Sequence, residues 1–237
     1  MTNATQKSHY WTGFRMGVPF LLVVMPFGLL FGVVATEAGL TTLQTLAFSS
    51  VVFAGAAQFA ALQLMVDNAP TLIVVATALA VNLRMAMYSA SLAVWIGDAP
   101  FWTRAFVAYV NVDQSYAVSI NEFEDTPDLT VPQRVAFFLG AVSPIAPMWV
   151  VATALGIWLG EGIPEWMALD FAVPICFLAI IAPMMRTLAH MVAAVASIVF
   201  ALVLAGLPYN LGLLGAAVLA MMIGAQVELW LTRKAAP

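Results

Sequence analysis

The sequence predicts an all-α integral membrane protein, a polytopic bundle of about eight transmembrane helices. Two observations carry this. Of 237 residues, 63% are hydrophobic and 8% charged, where a soluble domain carries about 25% charged residues. Apolar runs also recur from one end of the chain to the other, and about 20 apolar residues suffice to cross the hydrocarbon core. Mean hydropathy of +0.99 agrees. No stretch is left over for a separate soluble domain, so residues 1–237 read as a single transmembrane domain.

Taken in order, residues 1–12 are polar and form a cytoplasmic tail. The first apolar run is too long for a cleavable signal, and more runs follow. Spans are expected over about 15–35, 43–65 and 71–96. The segment 101–120 is ambiguous: apolar at 106–110, it then carries Asn111, Asp113 and Gln114. Residues 121–132 contain the one clearly hydrophilic loop. Further spans are expected within 133–159 and over 168–185, 187–205 and 211–231. If 101–120 spans, there are eight helices, and Lys7, Arg15, Arg134, Arg186, Arg233 and Lys234 fall on one side, with only Arg104 on the other. That asymmetry places both termini in the cytoplasm. If the segment is re-entrant, there are seven, and the later basic residues fall outside. The charge count favours eight.

The stretches 26–39 and 147–160 share a proline, an apolar run and a closing glycine, and Leu46-Ala47-Phe48 resembles Leu169-Asp170-Phe171. An internal repeat of this kind is common in secondary transporters; chance matching of Leu, Ala, Gly and Pro is the alternative. Eight spans make the copies parallel, seven make them inverted.

Polar groups inside apolar runs point to function. Arg84 follows about a dozen mostly apolar residues. A charge at a helix centre costs about 2.5–3.5 kcal/mol on insertion scales, so it marks a protein interior or a water-filled path. Its guanidinium suits a substrate carboxylate; the alternative is a structural Arg neutralised by Asp113. Asp113 is a candidate proton carrier or simply the partner of Arg84. Gln58 and Asn82 can bind a substrate ammonium or carboxylate, or join helices by hydrogen bonds. Gly55, with Ala54, Ala56 and Ala57, lets backbones approach. With Tyr88 and Tyr116 these complete the candidate substrate-binding set. Pro19 with Pro26, and Pro144 with Pro147, are candidate helix breaks, although kinks are the commoner outcome.

Elsewhere the readings are plainer. His190, Asp170, Glu228 and Trp230 fit interfacial positions, His190 and Asp170 having relay or depth alternatives. Cys176 reads as a packing residue. The 13 methionines lack Cys or His companions, so no metal is expected, and no cofactor. The chain has no Walker-type GK[ST] loop, no HExxH, and no Gly-x-Ser-x-Gly elbow with plausible partners. It is therefore expected to move a substrate and not to transform one.

The blocks FAGAAQF at 53–59, NLRMAMYSASL at 82–92 and DQSYA at 113–117 resemble the AzlC family of branched-chain amino acid permeases, as do GFRMGVPF and PFGLLFGVVATEAGL near the start. The resemblance implies a transporter of the bacterial inner membrane that exports branched-chain and related apolar amino acids together with a small AzlD-type membrane subunit. Two positions depart from the family: Met85 stands where histidine often follows NLR, and Gln114 stands where an acidic residue is common. The second removes one possible proton carrier. The competing classes are a passive channel for a small neutral solute and a non-transporting assembly subunit.

Overall fold

The computed structural model describes residues 3–160, 185, 187–207 and 211–235. The described residues are helical and contain no strand. The helices are α1 (Asn3–Gly17), α2 (Leu21–Glu37), α3 (Thr42–Val51), α4 (Gly55–Val66), α5 (Thr71–Ile96), α6 (Phe101–Val110), α7 (Asp113–Asp125), α8 (Val131–Val142), α9 (Ile145–Gly160), α10 (Leu188–Val203) and α11 (Leu211–Ala235). Four stretches among them are long and apolar enough to cross a membrane: Gln6–Glu37, Thr71–Ile96, Val131–Gly160 and Leu211–Arg233. Contacts divide the chain into two units, residues 1–62 with 78–167, and 63–77 with 168–237. The expected span 168–185, with Asp170 and Cys176, falls outside the described residues apart from Met185, as do Arg186 and the second half of the Leu169-Asp170-Phe171 match.

In the first unit α1–α2 and α8–α9 lie side by side and parallel. Gly13 faces Phe137 and Ala141, Gly28 faces Trp149 and Ala152, Gly32 faces Thr153, and Gly160 faces Val33 and Thr36. The backbones touch: a methyl placed on Gly156 would lie 1.9 Å from the Leu29 carbonyl oxygen, and one on Gly140 2.0 Å from that of Tyr10. Gly13 with Gly17, Gly28 with Gly32, and Gly156 with Gly160 are each spaced by four, the small-xxx-small pattern that brings helices together where lipid supplies no hydrophobic drive. The two stretches matched by proline and glycine spacing are the ones that pack here, and Gly28–Trp149 and Gly32–Thr153 follow the same offset. One proline of each candidate pair interrupts a helix. Pro19 sits in a 3-10 turn over Val18–Phe20, Pro26 lies inside an unbroken α2, and Pro144 separates α8 from α9.

The expected span 43–65 is instead a pair of short helices. Thr41 and Gln44 cap the start of α3 reciprocally. Descending alongside α2, α3 brings Phe48 against Phe31 and Ser49 against Thr153. It stops at Val51. Gly55 then lies against Phe27 and Trp149, and Phe59 packs on both Phe27 and Phe31, so α4 turns back.

The segment 101–120 behaves likewise from the other end. α6 lines a cleft with α5, to which Ser89, Leu92 and Ile96 of α5 and Phe101, Arg104 and Ala108 of α6 contribute. α7 runs parallel to α5, pairing Arg84 with Asp113, Tyr88 with Tyr116 and Trp95 with Phe123. The chain reverses at Asn111 and Val112. The two tips meet: the Tyr109 hydroxyl donates to the Ser50 carbonyl, the Phe53 and Tyr109 rings lie 6.4 Å apart, and Phe53 and Val112 share one apolar cluster with Val24, Ile145 and Trp149. Irregular backbone at such depth is tolerated only where protein or a water-lined cavity surrounds it. Ala54, Val110 and Asn111 are accordingly buried.

This topology keeps the N-terminus and the 121–130 loop at one end without requiring 101–120 to span. Arg104, entering from the same end, joins Lys7 and Arg134 there. With the basic residues inward, single cysteines placed in the 121–130 loop of a Cys176→Ser background are expected to resist an impermeant thiol reagent in whole cells. Labelling from outside would overturn this orientation.

In the second unit α10 and α11 pack closely where Gly224 meets Ala189 and Ala193. Thr187 caps α10, its side chain accepting from the His190 amide at 3.2 Å. Along α5, Leu72, Leu79, Leu83, Met87 and Val94 are exposed, an apolar stripe suited to lipid and not to water.

Candidate functional site

Positions 84, 88 and 91 share one face of α5, because steps of four and three residues return to the same side of a helix. This face meets the first turns of α7. Arg84 Nη1 lies 3.0 Å from Asp113 Oδ2, half-way along a 26-residue helix. Four residues on, the Tyr88 ring stacks on Tyr116 at 4.2 Å and 9°. The Tyr116 hydroxyl donates to Ser91 Oγ at 3.1 Å, and the Asp113 carboxylate also faces the Tyr88 hydroxyl. Asp113 opens α7, where the helix dipole favours an anion. Ser115 secures that start, its hydroxyl accepting from the Val112 amide at 3.0 Å.

The pair is not sealed. The side chains retain 34% and 38% of their exposure, so the site can be entered. Arg84 Nε and Asp113 Oδ1 are buried without a hydrogen-bond partner among the described residues. An unmet donor on the cation stands beside an unmet acceptor on the anion, so charges of both signs keep unused hydrogen-bonding capacity here.

The other candidates lie elsewhere. Asn82, two residues before Arg84, points to a different face of α5, and its Oδ1 is buried without a hydrogen-bond partner among the described residues. Gln58 is fully buried at the opposing break. Its Nε2 donates to the Phe48 carbonyl at 3.2 Å and the Val52 carbonyl at 2.7 Å, which stops the end of α3 from leaving its carbonyls bare. Gly55 is a packing position, since a methyl there would lie 2.8 Å from both the Phe27 and Trp149 rings. The structure thus gathers Arg84, Asp113, Tyr88 and Tyr116, and sets Gln58 and Gly55 at the second hairpin.

The family model for AzlC protein matches residues 19–163, more than half of the chain. The chain belongs to the AzlC family. The matched region of this AzlC protein holds both helix hairpins and the Arg84–Asp113 pair. An uncharacterized membrane protein of Archaeoglobus fulgidus is 26% identical over 190 residues, covering 78% of this chain and 80% of that one. The inner membrane protein YgaZ of Escherichia coli K12 is 26% identical over 185 residues, covering 74% and 73%. No solved structure matches. With its apolar helices, this AzlC-family chain is a membrane protein, and a transporter-type role is consistent with its relatives.

Proposed function

We propose that the chain is a secondary transporter of the bacterial cytoplasmic membrane that exports branched-chain or related apolar amino acids such as Val, Leu, Ile and Met. The observation that carries this reading is the partly exposed Arg84–Asp113 pair at the start of α7. A zwitterion offers a carboxylate to the guanidinium and an ammonium to the carboxylate, replacing one ion pair by two. The site then gains contacts while its net charge stays at zero. Tyr88 and Tyr116 wall it with aromatic surface. No step alters the substrate, and no cofactor is needed.

A small AzlD-type subunit belongs to this proposal through the family resemblance alone. The test is reconstitution with that subunit and efflux of labelled valine, leucine and methionine. A carrier is expected to saturate and to show counterflow. Non-saturating flux without counterflow would favour a channel, and no flux from a folded pair would leave an assembly role.

A further inference from the structure

We propose that Asn111, at the tip of the α6–α7 hairpin, is a substrate-binding residue, contacting the polar end of the amino acid through its side-chain amide. This rests on the transport reading above. Asn111 ends α6 in an extended conformation, φ −67° and ψ 126°, and is 1% exposed. Neither Nδ2 nor Oδ1 has a hydrogen-bond partner among the described residues. A primary amide carries two donors and an acceptor oxygen with two lone pairs. Leaving all of them unmet in a buried place is costly, and such a group needs an explanation.

The surroundings narrow that explanation. Val110 and Val112, on either side, belong to apolar clusters. Tyr109 is engaged by the opposing hairpin. Two residues later Asp113 carries the ion pair. The amide therefore stands at a helix break, two residues along the chain from the ion-paired Asp113. Gln58 offers a comparison. It lies in the first turn of α4, just past the break of the other hairpin, and is equally buried; its oxygen also lacks a partner among the described residues, but its nitrogen is taken by the Phe48 and Val52 carbonyls at the end of α3, which gives it a structural task. Asn111 has no such task. A group that offers both donors and an acceptor beside an Arg–Asp pair fits a ligand that presents a carboxylate and an ammonium on neighbouring atoms.

Asn111→Leu tests this, because leucine keeps the branching and heavy-atom count of the side chain and removes the unmet amide. In the reconstituted complex its melting temperature is expected to equal or exceed that of the parent. The KM for leucine should rise at least tenfold, and the preference for leucine over 3-methylbutylamine, which lacks the carboxylate, should narrow. Asn111→Ala is the second variant should leucine fail to fold, with the same KM expectation. An unchanged KM and unchanged preference in a stable variant would overturn the assignment. So would a loss of stability with normal KM, which means a structural amide, or a change in kcat alone, which means a gating role. If the parent complex binds none of the amino acids, the transport reading falls and this inference falls with it. If the parent transports normally and Asn111→Leu does too, only this inference fails.

Discussion

Arg84→Ala is expected to abolish amino acid efflux, and Arg84→Lys to lower it at least tenfold. Lysine keeps the charge but not the planar fork that can hold Asp113 and a carboxylate together. Arg84→Ala also strands Asp113 at the start of α7. A buried ion that loses its partner costs about 3–5 kcal/mol, and the cost is less here because each side chain is about a third exposed. Folding must therefore be measured beside transport. The double variant Arg84→Ala with Asp113→Ala separates the two roles. If the pair only holds α5 to α7, removing both charges restores folding and efflux. If Arg84 binds the substrate carboxylate, only folding returns. Near-normal leucine efflux from a well-folded double variant would exclude carboxylate binding by Arg84.

Gly156→Val is expected to prevent folding or to lower the melting temperature sharply. The first atom of the new side chain would stand 1.9 Å from the Leu29 carbonyl oxygen and 2.8 Å from its carbon. Backbone cannot rotate aside as a side chain can, so α2 and α9 must separate along their contact. Overpacking costs about 1–3 kcal/mol where neighbours yield, and here the loss should reach the upper end or beyond. Gly206→Ala is the control, because nothing lies within 4 Å of a methyl at that position. Thermal unfolding in detergent reads both. Equal melting temperatures for Gly156→Val and the parent would mean that the helices do not meet as described.

Those two sites differ in how far the sequence announced them. Arg84 was visible because a guanidinium in an apolar run has few structural excuses, and pairing with Asp113 was one of the two readings. The bounds of α5 were legible as well, since Pro70 and the Gly97-Asp98 turn mark both ends of one long apolar run. The break after α3 was not. Val52-Phe53-Ala54 is as apolar as a helix interior, and the reversal depends on the Gln58 amide one turn further on and on two distant partners, the Phe27 ring and Trp149. The doubt over 101–120 had a sound origin, because Asn111 and Asp113 are poor residues for a continuous span. A re-entrant 101–120 implies seven helices only if 43–65 spans, and nothing in the sequence of 43–65 marks its break. Asn111 reads in the sequence as a mark against spanning, because its burial without a partner is visible only in the fold. The glycine spacing at 13 and 17, 28 and 32, and 156 and 160 was present in the sequence; its partners were not, because contact depends on which helices the fold brings together.

The paired long helices set a timetable for synthesis. Tyr10 hydrogen-bonds Ser143 across 133 residues of chain. At roughly 5–20 residues per second of elongation, α1–α2 waits on the order of ten seconds before α8–α9 exists. During that interval its glycine face is open to lipid or to any other small-faced helix nearby. A nascent chain that pairs wrongly in this window would have to be undone before the native contact forms. Slower elongation between 40 and 130 should lengthen the exposure, and a chaperone that shields a bare glycine face would find its client here.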